Sequence, residues 1–126
     1  MEKAKILIVE DEMISAAALR NDLRNMGYEV CPMAATGKKA IAIAETDHPD
    51  VVLMDIRLRG EMNGIEAAEE IRSRTGAPSI LMSGYSDEVI REMLKNSESF
   101  SVISKPIEKE AVREAIGDVL GEKNES

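Results

Sequence analysis

Five short apolar runs alternate with five stretches that carry apolar residues at helical spacing, and few folds are compatible with that alternation in a 126-residue chain. Lys5-Ile6-Leu7-Ile8-Val9 is continuous and β-branched, the pattern of a strand buried on both faces of a parallel sheet. Over 13–26, Ile14, Ala17, Ala18, Leu19, Leu23 and Met26 recur at helical spacing, and Gly27 is a natural helix stop. The unit then repeats. Strands are predicted over 28–34, 51–54, 79–82 and 100–104, and helices over 37–46, 65–74, 86–97 and 108–120. Strands joined by helices give a parallel sheet covered on both faces through right-handed crossovers, an α/β doubly wound fold.

The length suits one domain, predicted over 1–121, with a polar tail over 122–126. Five strands fit the flavodoxin-like arrangement better than the six-stranded dinucleotide fold. Aromatic residues are only 2% of the chain, so Ile, Leu, Val, Ala and the eight Met must fill the core. The formal charge is −8, and no Lys/Arg stripe is present to neutralise phosphates, which argues against direct nucleic-acid binding. The start, Met-Glu-Lys-Ala-Lys, lacks the form of a signal peptide, and no apolar run is long enough to enter a membrane. A cytoplasmic protein is expected. The single cysteine, Cys31, sits in an apolar stretch and is expected to be buried and inert.

Polar residues stand at the ends of the apolar runs: Glu10-Asp11-Glu12 after ILIV, Asp55 after VVLM, Ser83-Gly84 after SILM, and Lys105-Pro106 after Val102-Ile103-Ser104. In a parallel sheet these ends share one edge, the edge at which open α/β sheets bind ligands. Each residue alone has an ordinary reading: acidic residues suit helix starts, a strand-end Asp suits a turn, Ser-Gly is a generic turn and a lysine is usually solvated. Together they are a different matter. Carboxylates from neighbouring strands raise each other's pKa unless a cation lies between them, and a divalent magnesium ion takes such oxygens. Asp55 is then available as a nucleophile, Lys105 as its counter-ion, and the Ser83 hydroxyl as a donor to a phosphoryl oxygen, with Gly84 leaving the approach open. His48 lies in a His-Pro turn on the opposite edge and has no part in this. No G-x-G-x-x-G, no G-x-x-x-x-G-K-[ST] and no Ser/His/Asp set is present.

The motifs ILIVEDE, VVLMDIRL, ILMSGYS and Lys105-Pro106 occur in that order, and with them the chain resembles the response-regulator receiver domains of two-component signalling over nearly its whole length. The strand order 2-1-3-4-5 is implied by that resemblance. So are the roles. Asp55 would accept a phosphoryl group from a phosphohistidine on a sensor histidine kinase or phosphotransfer protein. Asp11 and Asp55 would bind Mg2+, or Mn2+ in its place, with the Arg57 backbone carbonyl as a third ligand and Glu10 acting through water. Ser83 would be the switch hydroxyl and Lys105 the phosphoryl contact. The implied output is a protein-binding surface on the fourth helix, fifth strand and fifth helix, with no enzyme activity beyond self-limited phosphorylation and dephosphorylation.

The sequence departs from the family pattern at two positions. Glu10 stands where many members carry Asp, a longer arm that still reaches through water. Val102 stands where members usually carry Tyr or Phe, three residues before the lysine, and Phe100 lies two residues earlier. Arg57 and Tyr85 flank the expected path of attacking water, so Arg57→Ala and Tyr85→Ala should each change the phosphoryl lifetime several-fold; unchanged lifetimes for both would refute this. The rival enzyme reading is a magnesium-dependent phosphatase using an aspartyl phosphate. It needs a second aspartate two residues after the nucleophile, where this chain has Arg57. A receiver that no longer accepts phosphate and serves only as an interaction module is the third reading, and the presence of every site residue weighs against it.

Overall fold

The computed structural model describes residues 3–97 and 100–121. The tail expected over 122–126 lies outside them. Ten elements alternate: β1 (Lys5–Val9), α1 (Met13–Asn25), β2 (Glu29–Val30), α2 (Gly37–Asp47), β3 (Val51–Asp55), α3 (Gly64–Thr75), β4 (Ser79–Ser83), α4 (Asp87–Leu94), β5 (Ser101–Ser104) and α5 (Lys109–Leu120). All pairings are parallel and the order is β2-β1-β3-β4-β5, the flavodoxin-like order.

The three central strands read as apolar runs because helices cover both of their faces. Ile6 to Val9, Val51 to Met54 and Ile80 to Met82 are all fully or almost fully buried. Strand alternation divides them between two layers. Leu7, Val9, Val52, Met54 and Leu81 pack with α2, α3 and Ile90 of α4; Ile6, Ile8, Leu53, Ile80 and Met82 pack with α1 and α5. Aliphatic residues fill both layers, as the low aromatic content requires.

Three expectations need correction. The second strand is a two-residue ladder and not the run 28–34, because the pairing slips across Pro32-Met33: the Cys31 N–H donates to the Ile6 carbonyl at 2.9 Å and the Ala34 N–H to the Ile8 carbonyl at 3.0 Å, so three residues here span two of β1. In α1 the buried stripe is Ala16, Leu19 and Leu23, and Ile14 is 85% exposed. Ile14 therefore faces solvent, since apolar spacing alone does not fix which face of a short helix turns inward. The fourth helix ends at Leu94, short of 97, and starts after Ser86, whose hydroxyl accepts from the Val89 N–H. Cys31 is buried, and burial, aided by the Asp47 charge, raises its pKa to about 11, so the thiol stays protonated.

Candidate functional site

The carboxyl ends of β1, β3, β4 and β5 bring the sequence-predicted residues to one edge. Asp55 and Ser83 are the last residues of their strands, 3% and 2% exposed, while Glu10 follows β1 directly and is also buried. One carboxylate oxygen each from Glu10, Asp11 and Asp55 lies within 4.8 Å of the others. Glu10, Asp11, Glu12, Asp55, Arg57 and Lys105 line a cavity of about 270 Å3 there. Glu12 is the residue before α1; its N–H donates to Glu10 Oε2 at 3.2 Å and its carboxylate accepts from the Ser15 hydroxyl.

Lys105 enters from the β5–α5 turn, its place fixed by its N–H donating to the Ser83 carbonyl at 2.7 Å. Its Nζ donates to Asp55 Oδ2 at 2.9 Å and lies 3.6 Å from Glu10 Oε1. Burial opposes its charge, but the hydrogen bond and charge of Asp55, then Glu10, outweigh burial, and its pKa is raised. One ammonium does not satisfy the whole cluster. Burial, then the hydrogen bond and charge of Asp55, lift Glu10 from 4.5 to about 7. Three hard-oxygen donors this close, with one of them forced toward its neutral form, fit a small divalent cation.

Three further contacts hold the nucleophile candidate in place. The Arg57 N–H donates to Asp55 Oδ1 at 3.0 Å, in an Asx turn that aims the carboxylate back toward the cluster. The Ile56 N–H donates to the Met82 carbonyl at 3.1 Å, continuing the ladder past the strand end. Gly64 opens α3 against this segment, its N–H donating to the Ile56 carbonyl at 2.9 Å, and a Cβ there would lie 2.0 Å from the Asp55 carbonyl oxygen. Asn63 caps α3 in a reciprocal box with Glu66. The Ser83 hydroxyl accepts from the Tyr85 N–H at 2.9 Å.

Sequence reasoning missed two of these residues. Gly64 reads as one more turn glycine, and only the Asn63-Gly64 helix start hints at the close approach. Arg59 has no sequence signal at all. Its Nε lies 3.4 Å from Asp11 Oδ2, and the side chain is 84% exposed. A magnesium ion held by Asp11 would compete with Arg59 for that carboxylate, so Arg59→Ala should tighten magnesium binding about two- to fivefold, the yield of one exposed ion pair. Calorimetric titration of the two proteins would show it, and weaker binding in the variant would count against the competition.

Phosphoryl-accepting switches are the class of protein that combines this sheet order with an acidic cluster, a strand-end aspartate and a paired lysine. The response regulator receiver domain family matches residues 6–117, and the chain belongs to it. Among its relatives is the transcriptional regulatory protein PdtaR of Mycobacterium tuberculosis, 33% identical over 102 residues, which are 81% of this chain and 49% of PdtaR. The chain thus spans about half of that relative's length. In solved structures it is similar to the signal receiver domain of a modulated diguanylate cyclase from Desulfovibrio desulfuricans G20, with a TM-score of 0.86 and 28% identity over 95% of each chain. It is also similar to the receiver domain of sensor histidine kinase PA1611 from Pseudomonas aeruginosa PAO1, with a TM-score of 0.83 and 28% identity over 95% of this chain and 99% of that one. That domain holds a magnesium ion in its active site cleft. Receiver domains accept phosphoryl groups, bind magnesium at an acidic pocket, and work with histidine kinases and downstream effectors.

Proposed function

We propose that this chain takes a phosphoryl group onto Asp55 from a phosphohistidine of a sensor histidine kinase or phosphotransfer protein, and that the transfer alters a protein-binding surface. The observation that carries this reading is the 2.9 Å contact of Lys105 Nζ with a buried Asp55 that shares its pocket with Glu10 and Asp11. An Asp55 carboxylate oxygen attacks phosphorus and forms a P–O bond. The P–N bond to the donor imidazole breaks, and the ring nitrogen leaves with the electron pair. Lys105 stays charged and moves its hydrogen bonds from the carboxylate to the phosphoryl oxygens, while Ser83 turns its hydroxyl to a second oxygen. Asp11, Asp55, the Arg57 carbonyl and, through water, Glu10 would hold Mg2+ or Mn2+, which neutralises charge on the equatorial oxygens when bound. Water attack on the acyl phosphate returns the carboxylate and inorganic phosphate, so the only turnover is self-limited.

We assign the output surface to α4, β5 and α5; the exposed apolar side chains Val89 on α4 and Val102 on β5, with Tyr85 just before α4, support that reading. The charge of −8 does not suit direct nucleic-acid contact. No described helix is long and apolar enough to cross a membrane, consistent with the proposed cytoplasmic location. The receiver unit is taken to be 1–121. Incubation with a small phosphodonor tests the reading. Intact mass should rise by one phosphoryl group with magnesium and not with a chelator, whereas turnover of unrelated phosphate esters would favour a phosphatase.

Lys105→Ala should act in two ways. It leaves Asp55 and Glu10 crowded without their cation, so the metal-free fold should lose about 1–2 kcal/mol, less than a fully buried pair because Lys105 is one-third exposed. Magnesium should restore most of that loss in thermal unfolding. Phosphoryl uptake should slow about 100-fold at saturating magnesium, from the lost charge at the phosphoryl oxygens.

A further inference from the structure

Signal transfer out of this site has an open step, because the fifth strand carries Val102 in place of an aromatic. Phe100 does not fill the role, since it packs against the buried layer under α2, α3 and α4. Val102 is 37% exposed, and beside it is a cavity of about 340 Å3 whose lining includes Ser83, Tyr85, Ile90, Arg91, Val102 and Ser104. The register explains the grouping. Val102 pairs with Leu81 and Ser104 with Ser83, so Ser83, Val102 and Ser104 share one face of the sheet under α4. The cavity has room for a phenol ring, and Ser104 and Arg91 offer its hydroxyl hydrogen-bonding partners.

Tyr85 stands at the edge of that cavity, 36% exposed. Its link to the switch hydroxyl is through the backbone: the Tyr85 N–H donates to Ser83 Oγ at 2.9 Å. Rotation of Ser83 toward a phosphoryl oxygen carries Oγ away and breaks that bond. Gly84 between them is exposed, and nothing lies within 4 Å of where its Cβ would be, so the peptide is free to turn.

We propose that Tyr85 is the mobile aromatic of this domain: when Ser83 turns to the phosphoryl group, the Tyr85 ring leaves solvent and fills the cavity over Val102, between α4 and β5. The inference rests on Asp55 phosphorylation as proposed above. Its effect is to bury a ring and change the surface at the start of α4, where Val89 is exposed.

The chain has two tyrosines, so incorporation of 3-fluorotyrosine gives two fluorine resonances, assigned with Tyr85→Phe. Spectra would be recorded with and without magnesium and excess small phosphodonor, with intact mass followed in parallel. Phosphorylation should shift the Tyr85 resonance and cut its relaxation by a soluble paramagnetic agent at least twofold, with Tyr28 unchanged. In Val102→Phe the cavity is filled; the same uptake should occur, but Tyr85 should stay exposed. A phosphorylated wild-type chain with Tyr85 unmoved overturns the inference, as does equal burial of Tyr85 in Val102→Phe. Absence of phosphoryl uptake overturns the functional reading itself, and this inference with it.

Discussion

Asp55→Asn is expected to take up no phosphoryl group from any donor, at any magnesium concentration, while remaining folded. An amide oxygen is a far weaker nucleophile than a carboxylate and removes one anionic ligand from the cluster, so magnesium affinity should also fall at least about tenfold. The fold should tolerate the change because Asn is nearly isosteric. Its side-chain oxygen can take the Oδ1 place and still accept from the Arg57 N–H, as Asp55 does at 3.0 Å, while its NH2 group takes the Oδ2 place and leaves Lys105 with Glu10, 3.6 Å away, as its partner. The variant also relieves the crowding that raises the Glu10 pKa. Its melting temperature without metal should therefore match or exceed that of the wild type, and the difference in uptake cannot then be assigned to unfolding. Uptake persisting in Asp55→Asn would place the acceptor elsewhere.

Gly64→Ala should be the most damaging single-methyl change near the site. The added Cβ would meet the Asp55 carbonyl oxygen at 2.0 Å and the Ile56 Cα at 2.8 Å, both backbone atoms that no side-chain rotation moves aside. The start of α3 must shift away from the end of β3, which strains the bond from Gly64 N–H to the Ile56 carbonyl. Overpacking of this severity costs about 3 kcal/mol, equivalent to about 10 °C in melting temperature for a domain of this size. Because the clash falls on the backbone of Asp55, the surviving folded fraction should phosphorylate more slowly. Gly84→Ala, with nothing within 4 Å of the new methyl, should leave the melting temperature nearly unchanged. Similar melting temperatures for both variants would contradict the packing argument.

The strand ends were legible in sequence because a buried parallel strand must be apolar throughout, so a polar residue at its end is conspicuous. Asp55 after VVLM and Ser83 after SILM were located on that basis, and the structure makes them the last residues of β3 and β4. Lys105 could be placed near them because Pro106 marks where β5 ends. Helix facing was less legible. In α1 nearly every turn offers Ala, Leu or Ile, and tertiary packing chose Ala16, Leu19 and Leu23 over Ile14. The short β2 is not legible because the stretch from Tyr28 to Met33 looks like a strand, while the one-residue slip of its pairing between Cys31 and Ala34 has no sequence signal beyond Pro32. Arg59 could not be recognised at all, and Gly64 only faintly from the Asn63-Gly64 helix start, since the importance of each is a distance to a residue on another element, and spacing along the chain does not encode it.

Chemical trapping of the acceptor residue tests the central claim most directly. After the chain is treated with a small phosphodonor and magnesium, borohydride reduces an aspartyl phosphate to homoserine, and peptide mass spectrometry then locates the converted residue. Conversion at Asp55 alone, lost when magnesium is chelated, is the predicted result. Conversion at Asp11, Glu10 or any other carboxylate, or phosphorylated chain with no convertible residue, would contradict it.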